Sequence, residues 1–169
     1  MPGFDNMSVN IPLVKSTYKK IMALGEGAKG DDFVMVINEY PNLRYLVQST
    51  QLPALKREAV NIKGPHGIEI NQQGRFMNAQ DITITFKEVI SGEAYKALKD
   101  WVVNKRYLTV AIALISESKP DEDLSTAVAL EDAWIELDAV DLSVDDGATL
   151  VKPSGTIHAN WVNYPDTLE

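Results

Sequence analysis

The spacing of apolar residues predicts that this chain is mostly β-strand. The clearest strand spans residues 81–87, where apolar residues at every second position alternate with polar ones. Residues 33–38 and 44–49 are predicted to pair as a hairpin. Residues 156–164 are predicted to form the last strand. This alternation is typical of antiparallel strands that bury one face.

One segment has helical periodicity. Over residues 91–106 apolar positions recur every three or four residues, and Ser91 is the predicted N-cap. A turn or two of helix is predicted at 18–24, inside an N-terminal arm and flexible linker that covers residues 1–32. We therefore expect a mainly β domain over 33–169, an antiparallel sandwich or barrel with one α-helix. The apolar stripe of that helix consists of Ala94, Ala97, Leu98, Trp101 and Val102.

The strand predicted at residues 107–115 has no face suited to water. Its larger apolar residues share one face, and the other face carries only Thr109, Ala111 and Ala113. A strand of this kind is covered on both sides. Either the preceding helix or a neighbouring subunit has to cover the small residues, which makes them candidates for a sheet contact between subunits.

Residues 52–79 form a long excursion with few large apolar residues of their own. Two weak strand patterns lie on either side of the turn Gly64–Gly67, and Pro53 ends the strand before them. We expect a hairpin that projects from the body. An excursion of this length inside a compact domain is usually functional or mobile.

The alternation over residues 133–145 changes phase once. The change falls at Val140 and predicts a bulge or a break between two strands. Before it, Glu136 and Asp138 share a polar face; after it, Asp141 lies on the polar face of the next strand.

Charge is unevenly distributed along the 169 residues, whose net charge is −8. Up to Arg106 there are 14 Lys+Arg and 11 Asp+Glu, and from Tyr107 onward there are 2 and 13. An acidic half repels phosphate, which argues against a sequence-independent grip on nucleic acid. The chain has no apolar run long enough to cross a bilayer, and no signal peptide is expected at Met1.

The sequence contains no recognisable set of catalytic or metal-binding residues. The absence of cysteine excludes disulfides and thiolate sites. His66 and His158 have no ligand spacing, and the carboxylate clusters at 121–123 and 145–146 lie in polar loops where nothing would raise a pKa. No enzyme and no cofactor are predicted. The three tryptophans lie on apolar stripes or strands and are predicted to pack in the core: Trp101, Trp134 and Trp161.

The order of these elements resembles the tail tube proteins of contractile-tailed bacteriophages, which are related to the type VI secretion tube protein. The likeness covers about residues 33–164. It is carried mainly by the strand-to-helix step Ile84–Trp101, by the corner Thr50–Pro53, and by the phase-shifted stretch Trp134–Val144.

The resemblance implies a structural virion protein. Such subunits form homohexameric rings that stack into the inner tail tube, through which DNA is delivered. The implied partners are the tail sheath, the baseplate and the tail terminator, with the tape measure protein and DNA in the lumen without specific binding. No membrane partner is implied. The implied location is the virion tail, assembled in the host cytoplasm.

The resemblance also suggests roles for individual residues. The projecting loop would reach the next ring, and inner-sheet strands would line the lumen. The acidic bias after Arg106 predicts that the lumen is acidic; the alternative is that these carboxylates face solvent or the sheath. Two other functions stay open: a secretion or bacteriocin-type tube, and a monomeric β-barrel that binds a small ligand or sugar. The inter-ring candidates are Leu52, Pro53, Val60, Ile62, Gly64, Gly67, Ile68 and Gly74. The lumen candidates are Glu136, Asp138 and Asp141.

Overall fold

A computed structural model of the chain describes residues 9–25, 27–115, 124, 127–145 and 147–165. The carboxylate cluster at 121–123, predicted to lie in a polar loop, is outside these residues. The chain divides into two compact units, Met1–Asp32 and Phe33–Glu169. Within the described residues, no helix is both long enough and apolar enough to span a membrane.

The first unit contains helix α1 (Ile11–Ala23). The side chain of Asn10 caps it by accepting a hydrogen bond from the Leu13 amide at 3.2 Å, and Pro12 lies in the first turn, where an amide hydrogen is not needed. The prediction of a turn or two at 18–24 was therefore too short. The described residues from Phe33 onward contain one α-helix, as predicted.

The second unit is an antiparallel, nearly closed β-structure. Its elements are β1 (Phe33–Ile37), β2 (Val47–Ser49), β3 (Arg57–Lys63), β4 (Glu69–Phe76), β5 (Gln80–Phe86), α2 (Glu93–Val103), β6 (Leu108–Leu114), β7 (Val128–Leu137), β8 (Ser154–Ala159) and β9 (Trp161–Asn163). Seven strands form one sheet in the order β1-β6-β7-β8-β5-β2 with β9 also paired to β7, and β3 and β4 form a separate hairpin. The mainly β, antiparallel prediction is confirmed.

Strands β1 and β2 do not pair, so the predicted hairpin over 33–49 was wrong. Strand β1 pairs with β6, and β2 pairs with β5 at the other end of the sheet order. The connection between them is a 3₁₀ turn, Pro41–Tyr45, which buries Leu43 in the core. A connection of this length with its own buried anchor carries the chain between two edges instead of reversing it tightly.

Strand β7 belongs to two parts of the sheet because it contains a bulge. Asp132 has φ 48°, and Leu130 and Ala133, three positions apart, are both buried. Strand β7 pairs with β9 before the bulge, with β6 on both sides of it as far as Ala133, and with β8 from Trp134 onward. The phase change predicted at Val140 was misplaced, since β7 already ends at Leu137 and no described residue of 138–153 is in a strand.

The strand predicted at residues 156–164 is interrupted at Asn160, beside the bulge in β7. The amide and side chain of Asn160 donate hydrogen bonds to the carbonyl oxygens of Glu131 and Asp132, at 3.3 and 3.1 Å. The chain therefore changes phase between β8 and β9. Val162 is buried and Trp161 is exposed, which corrects the prediction that Trp161 packs in the core.

The part of the sheet formed by β1, β6 and β9, the part formed by β8, β5 and β2, and strand β7 between them share one hydrophobic core with α2. Strand β5 contributes Ile82, Ile84 and Phe86, as its alternation predicted. The Glu88 carboxylate caps α2 by accepting from the amides of Ala94 and Tyr95, so the predicted cap at Ser91 was wrong. Helix α2 buries Ala94, Leu98 and Trp101, whereas Val102 of the predicted stripe is exposed.

Candidate assembly surfaces

The outward face of strands β5, β8 and β7 is polar and acidic. Cross-strand registration places its residues in rows that contain no lysine or arginine. Just beyond β7, the Asp138 amide donates to the Ser154 carbonyl at 2.9 Å, and the Asp138 carboxylate accepts from the Ser154 hydroxyl at 3.3 Å. The rows are Asp81, His158 and Trp134, then Thr83, Thr156 and Glu136, then Thr85 and Ser154.

His158 organises this acidic face. Its Nδ1 lies 2.7 Å from Asp81 Oδ1, and its Nε2 lies 3.5 Å from Glu136 Oε2. Trp134 also lies on this face and is exposed, contrary to the predicted core position. The error could have been avoided, because Trp134 and Glu136 belong to the same alternating set.

The three lumen candidates do not all share a surface. Glu136 lies on the acidic face. Asp138 is exposed and is joined to this face by its hydrogen bond with the Ser154 hydroxyl. Asp141 lies in the irregular segment after β7, where strand alternation does not orient side chains. Their position in a lumen stays a proposal.

The small residues of β6 lie on the outward face of a different sheet region. Val36 is the partner of Ala111 and Val34 is the partner of Ala113. Ala113 is only 1% exposed in the subunit, whereas Thr109 is exposed. Because β6 is paired on both sides, these residues could touch a neighbour only through their side chains. In the described part of the chain, strands β1 and β2 end the sheet order and could pair with another subunit.

The β3–β4 hairpin has an apolar pair exposed to solvent. Ile62 and Ile70 are direct cross-strand partners and are 42% and 50% exposed. Val60, on the same face of β3, and Ile68 are exposed as well. The hairpin is a two-stranded sheet of its own, so it supplies little core to cover these side chains.

Glycines shape this hairpin at two places. The turn at its tip contains His66 and Gly67, with φ 60° and 76°, and is closed by a 2.7 Å hydrogen bond from the Gly64 amide to the Ile68 carbonyl. A Cβ atom at Gly74 would lie 2.9 Å from the Cβ of Glu58. Of the other inter-ring candidates, Leu52 is exposed, and Pro53 is already buried in the subunit.

A charged network joins the end of β1 to α2. Arg106 lies 3.0 Å from Glu39 and 3.1 Å from Asp100, and Asp100 also accepts hydrogen bonds from Tyr40 and Asn104. Burial, assisted by the bond to Asp100, raises the pKa of Tyr40 to about 12. The bond from Tyr40 is the main cause of a lowered pKa at Asp100.

A cavity of about 680 Å³ lies between α2 and β7. Its walls are mostly apolar and aromatic, and they include Tyr95, Tyr107 and Trp134, with Lys99 and Lys105 among the charged residues. Among the described residues, no group of three His, Cys, Asp or Glu side chains could hold a metal ion.

Neither a protein-family model nor a curated protein sequence matches this chain. Solved structures do match. A chain of the sheath–tube complex of an extracellular contractile injection system, PVC, in the extended state has 12% sequence identity and a TM-score of 0.65. The match covers 85% of this chain and 95% of that chain.

Two further structures share the same fold. A chain of the tube-terminating cap of the anti-feeding prophage has 12% identity and a TM-score of 0.64, over 82% of this chain and 90% of that chain. A chain from the tail of an empty gene transfer agent particle with C6 symmetry has 10% identity and a TM-score of 0.55, over 82% and 98%. The chain therefore has the fold of phage tail tube-like proteins.

Proposed function

We propose that this chain is a structural tube subunit of a contractile tail or injection particle and has no enzymatic role. The observation that carries the proposal is the tail tube-like fold whose β3–β4 hairpin leaves the pair Ile62 and Ile70 exposed. The body already has a complete core, so this apolar pair is available to a second copy.

In this proposal six copies form a ring and the rings stack. The similar chain from a C6-symmetric tail supports the six-fold order. Strands β1 and β2 offer the edges for contacts within a ring, and Thr109 and Ala111 lie on a neighbouring outward face. The β3–β4 hairpin and its flanks, together residues 52–79, contact the next ring.

The acidic face of β5, β8 and β7 then lines the lumen. Glu136, Asp138 and Asp81 would face passing DNA, and Asp141 would lie near the rim. A wall of carboxylates repels phosphate and releases no counterions from DNA, so the polyanion does not stick. The tape measure protein would occupy the same channel before DNA enters it.

The outside of the tube would contact the sheath, and its ends would contact the terminator and the baseplate. Similar chains come from a sheath–tube complex and from a tube-terminating cap, which supports these partners. We propose the tail of a virion or a virion-like particle, assembled in the host cytoplasm, as the location. A secretion or bacteriocin-type tube differs in its cargo, so DNA recovered from purified particles would favour the phage tail.

Negative-stain electron microscopy and sedimentation velocity of concentrated protein test the proposal. Rings and cylinders are expected. A species that sediments as a monomer at every concentration and salt would overturn the tube. The second candidate is a ligand-binding module, because the cavity of about 680 Å³ beside α2 falls within the size range of small-molecule sites. A monomer that binds a small ligand there would support that candidate.

A further inference from the structure

Helix α1 (Ile11–Ala23) has a complete apolar face but no buried residue. The apolar residues recur with helical spacing, and each is at least 57% exposed. A helix of 13 residues is marginal in water unless such a face packs against another surface. The face consists of Ile11, Val14, Tyr18, Ile21 and Met22.

The charge of α1 favours an acidic partner. Lys15 and Lys19 lie along the edge of the apolar face, next to Met22. Residues 11–23 also contain Lys20 and no Asp or Glu, so the helix carries +3. Residues 33–169 contain 12 Lys+Arg and 20 Asp+Glu, a balance of −8. A second copy of this chain therefore offers the complementary charge.

Apart from the hairpin face that we propose for ring stacking, two apolar surfaces in the described part of the Phe33–Glu169 unit are candidates, and their charge differs. The cavity beside α2 has Lys99 and Lys105 in its wall, which would repel a basic helix. The other surface, here called the acidic loop patch, lies in the irregular segment after β7 and surrounds a cavity of about 310 Å³. Leu142 and Val144 are 77% and 100% exposed there. The residues of the patch that line the cavity are Asp141, Leu142, Val144, Leu150 and Val151. The patch also includes Asp145, which follows Val144 in sequence and is exposed.

We propose that α1 of one copy docks its apolar face on the acidic loop patch of a second copy and straps neighbouring tube subunits together. The inference rests on the proposed function, because assembly brings the patch of another copy within reach. The segment 24–32 spans up to about 30 Å when extended. Its glycines, Gly25, Gly27 and Gly30, permit many backbone directions. On docking, the lysines would lie beside Asp141 and Asp145.

Because the chain lacks cysteine, disulfide formation between two single-cysteine variants reports contacts between copies. A tagged Val14→Cys copy is mixed with an untagged Val144→Cys copy under mild oxidation. We expect a disulfide-linked pair that forms at least about tenfold faster than in the control, because docking raises the local thiol concentration. The control is Ser16→Cys with the same Val144→Cys partner, since Ser16 lies on the opposite side of α1.

A charge exchange tests the specificity. Changing Lys15, Lys19 and Lys20 to Glu should slow the Val14–Val144 crosslink. Changing Asp141 and Asp145 to Lys in the partner should restore it. At about 1 M salt the Debye length falls to about 3 Å, so both effects should shrink.

Three results would overturn the inference: equal crosslinking by the Ser16 control, no crosslink with Val14→Cys, or an internal disulfide in a chain that carries both Val14→Cys and Val144→Cys. Stable binding to phosphatidylglycerol vesicles that Val14→Asp abolishes, without the crosslink, would assign α1 to a membrane surface and also overturn it. Electron microscopy tests the tube proposal separately. Tubes without the crosslink contradict only the strap, and the crosslink in small oligomers without tubes contradicts only the tube.

Discussion

The imidazole of His158 stacks on the indole of Trp134 across the β7–β8 pair, with ring centroids 4.2 Å apart and planes 24° apart. The stack holds the imidazole between two carboxylates: Asp81 faces its Nδ1 atom and Glu136 faces its Nε2 atom. A tryptophan placed outward on a polar face thus gives order to the acidic surface that we assign to the lumen.

If the acidic face lines the lumen of the proposed tube, changing Glu136 and Asp138 to Lys should make the tube retain DNA. Both residues are exposed, so folding and tube formation should persist. Retention of a short DNA duplex should be strong at about 50 mM salt and weak at about 200 mM. The reason is that lysines bound to phosphates release counterions from the DNA, and this release is less favourable at higher salt. A filter-retention assay on assembled tubes measures this.

The matched control changes Asp31 and Asp32 to Lys, which alters net charge equally in the linker. If control tubes retain DNA as well as the Glu136 and Asp138 variant does, the acidic face has no special relation to the lumen.

Changing Ile62 and Ile70 to Ser should block ring stacking and leave the subunit folded. The pair is exposed, so the free energy of unfolding should fall by less than about 1 kcal/mol. Microscopy should show single rings in place of cylinders. The control changes Asn61 and Asn71 to Ser, the adjacent cross-strand pair on the opposite face of the hairpin. Normal cylinders from the isoleucine variant would exclude this face from the stacking contact.

Changing Gly155 to Ala should destabilise the body by about 1–3 kcal/mol, the usual range for an overpacked site. Its new Cβ would lie 2.2 Å from the backbone oxygen of Glu136, so β7 and β8 would have to separate. Gly147 is the control, because a Cβ there meets no atom within 4 Å; Ala should change stability by no more than about 0.5 kcal/mol. Urea denaturation measures both, and equal midpoints would contradict the β7–β8 register.

The Tyr40–Asp100 bond should make stability depend on pH at both extremes. The pKa of Tyr40 is raised from 10.0 to about 12, so its contribution is complete below pH 10 and is lost as pH rises toward 12. The pKa of Asp100 is lowered from 3.8, so its contribution is present above pH 3.8 and is lost as pH falls further.

Tyr40→Phe removes this bond. Denaturant unfolding should therefore show the variant less stable than the wild type between pH 3.8 and 10, with a difference that shrinks outside that range. No difference at any pH would show that the ring packing of Tyr40, which Phe keeps, stabilises the subunit without a contribution from its hydroxyl.

Local pattern alone determined the strand with Ile82, Ile84 and Phe86, the core face of α2 around Leu98, and the separate hairpin before them. Each of these elements buries or exposes a whole face at a constant period, so neighbours in sequence carry the information. The same holds for the polar side of Glu136, which the alternation of its strand indicated.

The tertiary structure decided the partners and the phase breaks. That β1 pairs with β6 depends on where Leu43 anchors the chain, and that Trp161 faces outward depends on Asn160 bonding to the bulge at Asp132. A bulge shifts every following side chain to the other face, yet its position is set by hydrogen bonds to a strand distant in sequence. Alternation along one strand contains no record of that partner, so the break was predicted at Val140, and only the packed sheet showed it at Asp132.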